Sequence, residues 1–175
     1  VADNEAPQIQ CLDTIRVSTS SVNSCSASLL LPGATITDNC SANLAVAVQT
    51  PANDLSSNGG MINNLPEGYS QITYLATDEC GLVGTCQSIV EVTDGTAPQL
   101  TCEDQITVSL TEAGFASFGT ESTVEEAVDN CCADVTLEIR RLDEVNYSDE
   151  VTVSCDDIGQ TLFVLTRATD CNEND

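Results

Sequence analysis

The chain has 175 residues, with 28 acidic side chains against four basic ones, no His and a formal net charge of −24 at pH 7. Nucleic acid and anionic membrane surfaces repel such a molecule, and no run of 18 or more apolar residues is present to insert into a bilayer. Aromatic residues are only 3% and Trp is absent, so any core must be built from Val, Ile, Leu and Ala.

The chain opens on Val1-Ala2-Asp3 with no signal-peptide pattern. A mature or excised piece is therefore expected, with any export signal or anchor outside it. Ile9, Cys11, Ile15 and Val17 begin a period-two alternation that marks half-buried strands. Turn residues then punctuate the chain at Pro32-Gly33, Asn58-Gly59-Gly60 and Pro66-Glu67-Gly68. Ile72, Tyr74 and Ala76 alternate with Thr73, Leu75 and Thr77, and Cys86, Ser88, Val90 and Val92 with Gln87, Ile89, Glu91 and Thr93. After a short junction at Thr93–Pro98, Ile106, Val108 and Leu110 predict another strand. Glu121 to Val128 predicts a helical turn or two capped by Ser122 or Thr123. Leu162, Val164, Thr166 and Ala168 predict a late strand. Short strands with frequent turns imply an all-β fold built of antiparallel sandwiches.

An internal repeat sets the domain count. Asp3-Asn4-Glu5-Ala6-Pro7-Gln8-Ile9-Gln10-Cys11 returns as Asp94-Gly95-Thr96-Ala97-Pro98-Gln99-Leu100-Thr101-Cys102. Thr37-Asp38-Asn39-Cys40 meets Val128-Asp129-Asn130-Cys131 at the same offset, and Ala76-Thr77-Asp78 meets Ala168-Thr169-Asp170 with one residue of slippage. A unit of about 90 residues is too long for a solenoid repeat and fits a small domain copied in tandem. The expected domains are 1–93 and 94–175. The second lacks a counterpart of the strand around Cys86, which would fall after Asp175. A longer parent chain, a strand supplied by a neighbouring subunit and a shorter variant are the alternatives.

Ten Cys, in a chain with no His, indicate disulfides in an oxidising, extracellular setting rather than zinc. Each bridge typically stabilises by about 2–4 kcal/mol, which suits units with modest cores. A catalytic thiol would need a neighbouring base or cation, and neither His nor Lys is present. Asp3, Glu5 and Asp94 stand at the unit starts, and Asp38, Asp78, Asp129 and Asp170 stand close before Cys residues in loops. Calcium takes six to eight oxygens from such flexible loops, so these seven are the candidate metal ligands. Plain turn chemistry is the competing explanation. Adjacent acids such as Glu125/Glu126 and Asp156/Asp157 do not supply the opposed carboxylates of a glycosidase. That enzyme reading is remote, and a non-catalytic protein is expected.

Asp-x-x-x-Pro-x-Ile/Leu-x-Cys, then Thr-Asp-Asn-Cys, then Ala-Thr-Asp-x-Cys-Gly, then a Cys in a strand ending Val-x-Val-x-Asp, resembles the hyalin repeat (HYR) domains. The resemblance is closest to the Cys-rich versions in giant surface adhesins of Bacteroidetes. It covers Asp3 to Asp94 and then Asp94 onward without the final strand; Leu82, where Asn is usual, and the extra Cys132 depart from it. It implies immunoglobulin-like sandwiches in tandem, at the cell surface, with a structural or adhesive role. Implied partners are neighbouring repeats or copies of the same protein, and surface or glycan targets. A fibre subunit that exchanges strands is the alternative function. The resemblance also implies a Cys11–Cys86 bridge. Cys131–Cys155 with Cys132–Cys171 is the favoured pairing in the second unit, the adjacent pair being able to exchange roles. Cys40 pairs with Cys25 or with Cys80, Cys102 lacks its partner, and one Cys is left over.

Overall fold

The structure is a computed structural model and describes residues 3–19 and 21–175; the opening Val1-Ala2 lies outside them. It divides into two compact units, Val1–Asp94 and Gly95–Asp175. Among the described residues the regular structure is strand, with two short 3-10 turns and no α-helix.

The first unit has eight strands: β1 Gln8–Gln10, β2 Thr14–Ser18, β3 Ser26–Leu31, β4 Thr35–Thr37, β5 Ala45–Gln49, β6 Gly60–Pro66, β7 Gly68–Thr77 and β8 Val83–Thr93. Four of them form one sheet in the order β2-β8-β7-β5, faced by the ladders β3-β6 and β1-β4. The pairings are antiparallel except for β2 with β8, which run parallel. Alternation decides which side chains meet between the layers. Ile72 and Tyr74 of β7, Val90 and Val92 of β8, Ala27 and Leu31 of β3, and Ile62 and Leu65 of β6 form the core. Burying each large aliphatic contributes about 1.5–3 kcal/mol. Tyr74 is the largest of the fully buried side chains. Its hydroxyl donates to the carbonyl of Pro32 at 2.7 Å, so its polar end is satisfied.

The second unit repeats this plan with β9 Gln99–Cys102, β10 Phe115–Gly119, β11 Val124–Val128, β12 Thr136–Arg141, β13 Glu150–Ser154 and β14 Val164–Thr169. They pair antiparallel as β9-β11, β10-β13 and β12-β14. Ile139, Val151, Val153 and Ala168 are among its buried apolar side chains. Two expectations are corrected here. The helical turns expected over Glu121–Val128 reduce to a 3-10 turn at Thr120–Ser122 followed by β11. Register with β9, Val128 opposite Gln99 and Ala127 opposite Leu100, overrides the weak helical signal. Ile106, Val108 and Leu110 lie outside any strand. Their counterparts in β2 are held by β8, and among the described residues the second unit has no strand in that place.

Cys11 is joined to Cys86 across 75 residues, and Cys132 to Cys171 across 39. Cys25 and Cys131 are oxidised as well. Cys40, Cys80, Cys102 and Cys155 are exposed free thiols, which corrects the bridges expected of Cys40 and Cys155. The Cys131–Cys155 pairing is excluded because Cys155 keeps its thiol, which lies 3.5 Å from the carbonyl of Gly114. Cys40 pairs with neither Cys25 nor Cys80. The negative charge of Asp3, then burial and the charge of Asp38, push its thiol above the ordinary range, which lowers the thiolate fraction that exchange requires. Cys102 faces Val124 across its ladder.

Candidate functional site

Three of the seven expected ligands converge in the first unit. Asp3 lies ahead of β1, Asp38 follows β4 and Asp78 follows β7. One carboxylate oxygen from each lies within 4.8 Å of the other two. The strand ends bring them together: β4 pairs with β1, and β7 carries its loop to the same end.

Within each aspartate the two oxygens have different surroundings. Oδ1 of Asp38 accepts the backbone N–H groups of Cys40 at 3.0 Å and Ser41 at 2.5 Å. Oδ1 of Asp78 accepts those of Cys80 and Leu82, both at 2.8 Å. Oδ1 of Asp3 accepts that of Glu5 at 3.2 Å. These turns orient the carboxylates, as Asp commonly does in loops. The Ser41 N–H, followed by that of Cys40, holds the Asp38 carboxyl below the usual aspartate range. The Oδ2 atoms of Asp3, Asp38 and Asp78 are buried with no hydrogen-bond partner. Asp78 as a whole is only 7% exposed. A charged oxygen withdrawn from water with nothing to replace its hydration is costly, and the three aspartates that carry such oxygens converge.

The other expected ligands lie elsewhere. Glu5 is exposed, and its Oε2 accepts the side-chain amide of Asn39 at 2.7 Å, so it is not one of the converging set. Asp94 is buried and accepts the Thr19 hydroxyl at 2.6 Å. In the second unit, Oδ1 of Asp129 accepts the N–H groups of Cys131 and Cys132, at 2.8 and 2.7 Å. Oδ1 of Asp170 accepts those of Asn172 and Asn174, both at 2.8 Å. The turn chemistry is therefore repeated. Oδ2 of Asp170, however, also accepts the Asn174 side-chain amide at 2.8 Å. The sulfur of Cys132 beside them is tied in its disulfide and is no thiolate ligand.

Sequence reasoning missed an arginine clamp in the second unit. Arg140 of β12 and Arg167 of β14 lie over the ring of Tyr147, at 5.1 and 4.5 Å from its centroid. Arg167 also pairs with Glu138, its cross-strand neighbour, at 2.5 Å. The clustering of three of the four Arg in this unit was the available signal. The acidic pairs weighed for glycoside chemistry do not form such a site. Glu125 and Glu126 are exposed on β11, and Asp157 is engaged by Arg141 at 3.1 Å.

No protein-family model matches the chain, and no curated protein does. Among solved structures it is similar to the human desmocollin-1 ectodomain, with TM-score 0.38 and 13% identity, over 99% of this chain and 35% of that one. It is also similar to SGBP-B of the Bacteroides ovatus mixed-linkage glucan utilization locus, solved in complex with a mixed-linkage heptasaccharide. There the TM-score is 0.33 and the identity 12%, over 98% of this chain and 66% of that one. The chain thus spans about a third of the first structure and just under two thirds of the second.

Proposed function

We propose that this chain is a structural and adhesive repeat module of a large extracellular surface protein, of the hyalin-repeat type, and that it carries load and performs no catalysis. The Cys11–Cys86 bridge is the observation that carries this reading. Cys11 directly follows β1, the first strand of its unit, and Cys86 lies within β8, the last. A pull on the two ends of such a unit acts on those strands, and a covalent link between them stops the sandwich from unravelling. Disulfides persist in oxidising compartments, which supports a location outside the cytosol. Neighbouring repeats, copies of the same protein and surface ligands are its partners.

Stretching a tandem array under single-molecule force tests this. With the bridge intact, the stretch from Cys11 to Cys86, 75 positions apart in sequence, stays shielded from extension. Reduction should lengthen the unfolding step of that unit by about 260 Å, at roughly 3.5 Å per residue. Equal step lengths before and after reduction would count against a load-bearing bridge.

The self-assembling alternative also has an observation in its favour. Among the described residues β14 is paired only with β12, while its counterpart β7 is paired on both sides. An open edge of this kind accepts an added strand. Sedimentation at rising concentration separates the readings, since strand exchange requires growing oligomers and a plain module stays monomeric.

A further inference from the structure

We propose that Asp3, Asp38 and Asp78 bind one calcium ion through their Oδ2 atoms, tying the segment ahead of β1 to the loops that follow β4 and β7. A cluster of acids alone would not justify this, since exposed acids commonly gather without an ion. What distinguishes this set is the division of labour within each carboxylate. Oδ1 is committed to backbone N–H groups, and Oδ2 is buried and unpartnered. Asp78, the most enclosed, is 93% withdrawn from solvent, being only 7% exposed. Three negative groups so placed repel one another, and their electrostatic cost rises as water is excluded. A divalent cation removes the repulsion and supplies each oxygen with a partner.

The chemistry selects the ion. The converging ligands are all hard carboxylate oxygens, with no imidazole and no thiolate in the set, which favours calcium or magnesium over zinc. One oxygen from each aspartate within 4.8 Å of the other two leaves them able to share one ion, and magnesium, which demands near-ideal octahedral geometry and keeps several waters, is served less well than calcium by ligands from irregular loops. Loops from three separate segments provide the flexible oxygen cage that calcium accepts. Calcium binding here is independent of any load-bearing role for the bridge.

Calorimetry and thermal melting of the full chain test it, with calcium chloride, magnesium chloride and EDTA as the probes. Calcium at about tenfold excess over its Kd should raise the Tm by on the order of 5 °C, and EDTA should reverse the rise. Magnesium should give a smaller shift. Asp78→Asn keeps an acceptor for the turn but puts an amide where Oδ2 stood. This variant should bind one calcium fewer per chain, and its Tm in EDTA should equal or exceed that of the wild type. A purely structural aspartate would instead lower the Tm in EDTA. Should Asp78→Asn fail to fold, Asp3→Asn, in the opening segment, gives the same reading. Identical melting of the wild type in calcium and EDTA, or unchanged stoichiometry in the Asn variant, would overturn the site. A magnesium shift as large as that of calcium would overturn the choice of ion.

Discussion

The hydroxyl of Tyr74 reaches from the middle of β7 to the carbonyl of Pro32, in the turn between β3 and β4, at 2.7 Å. The residue is 1% exposed, and burial pushes the phenol above its ordinary pKa, so it stays a neutral donor at neutral pH. One side chain thus fills the core and fastens the opposite layer. Tyr74→Phe keeps the packing and leaves the Pro32 carbonyl without this donor. Stability should fall by about 1–2 kcal/mol, read as a lower urea midpoint with an unchanged slope.

Gly84 allows the backbone ahead of β1 to rest against β8. A Cβ at that position would stand 1.9 Å from the carbonyl oxygen of Pro7. Neither partner can yield by rotating a side chain, because the clash is with backbone. Gly84→Ala should therefore cost about 1–3 kcal/mol, as overpacking does, and should displace the segment that carries Asp3. Two-dimensional NMR should show shifts concentrated at residues 3–10. Unperturbed spectra there would contradict the close approach.

Local pattern made some of this legible and register hid the rest. Ile72, Tyr74 and Ala76 could be assigned to one face because side-chain period alone decides it, and they are buried. The repeat of Asp in front of Cys pointed to Asp38 and Asp78 because both need the same turn. Glu5 could not be separated from Asp3 by position, since only the fold shows that its carboxylate meets Asn39. Ile106, Val108 and Leu110 have the alternation of a strand without its partner, and alternation specifies a face and not a neighbour. Glu121–Val128 had helix-forming glutamates, yet pairing with β9 prevailed. The free thiols were unreadable for the same reason: which cysteines face each other depends on strand register.

Acid should weaken the second unit through Asp157. Arg141 grips both of its oxygens, at 3.1 and 3.3 Å, and the Ser154 N–H donates to it at 2.9 Å. The Arg141 hydrogen bond first, and then that of Ser154, hold the carboxyl below its ordinary range. A depressed folded-state pKa contributes stability that is fully present above the unfolded value, about 4, and is lost as pH falls through the folded value. The stability difference between wild type and Asp157→Asn should accordingly be constant from neutral pH down to about 5 and shrink at lower pH. Denaturant melts across that range measure it, and a difference independent of pH would refute the assignment.

Hydrogen exchange should separate two segments that the repeat makes equivalent. In the first unit Ile15 and Val17 belong to β2, and the whole strand is laddered to β8, with the Ile89 N–H donating to the carbonyl of Asp13 at 2.9 Å. Residues 105–110 have the same alternation but no strand pairing. Their amides should exchange with little protection, while those of β2 exchange through larger openings of the sheet. Protection at 105–110 that grows with protein concentration would show these residues pairing with a strand from another copy, the expected signature of the self-assembling alternative. Protection equal to that of β2 at every dilution would mean that these residues are paired within the chain and that the two units have the same edge after all.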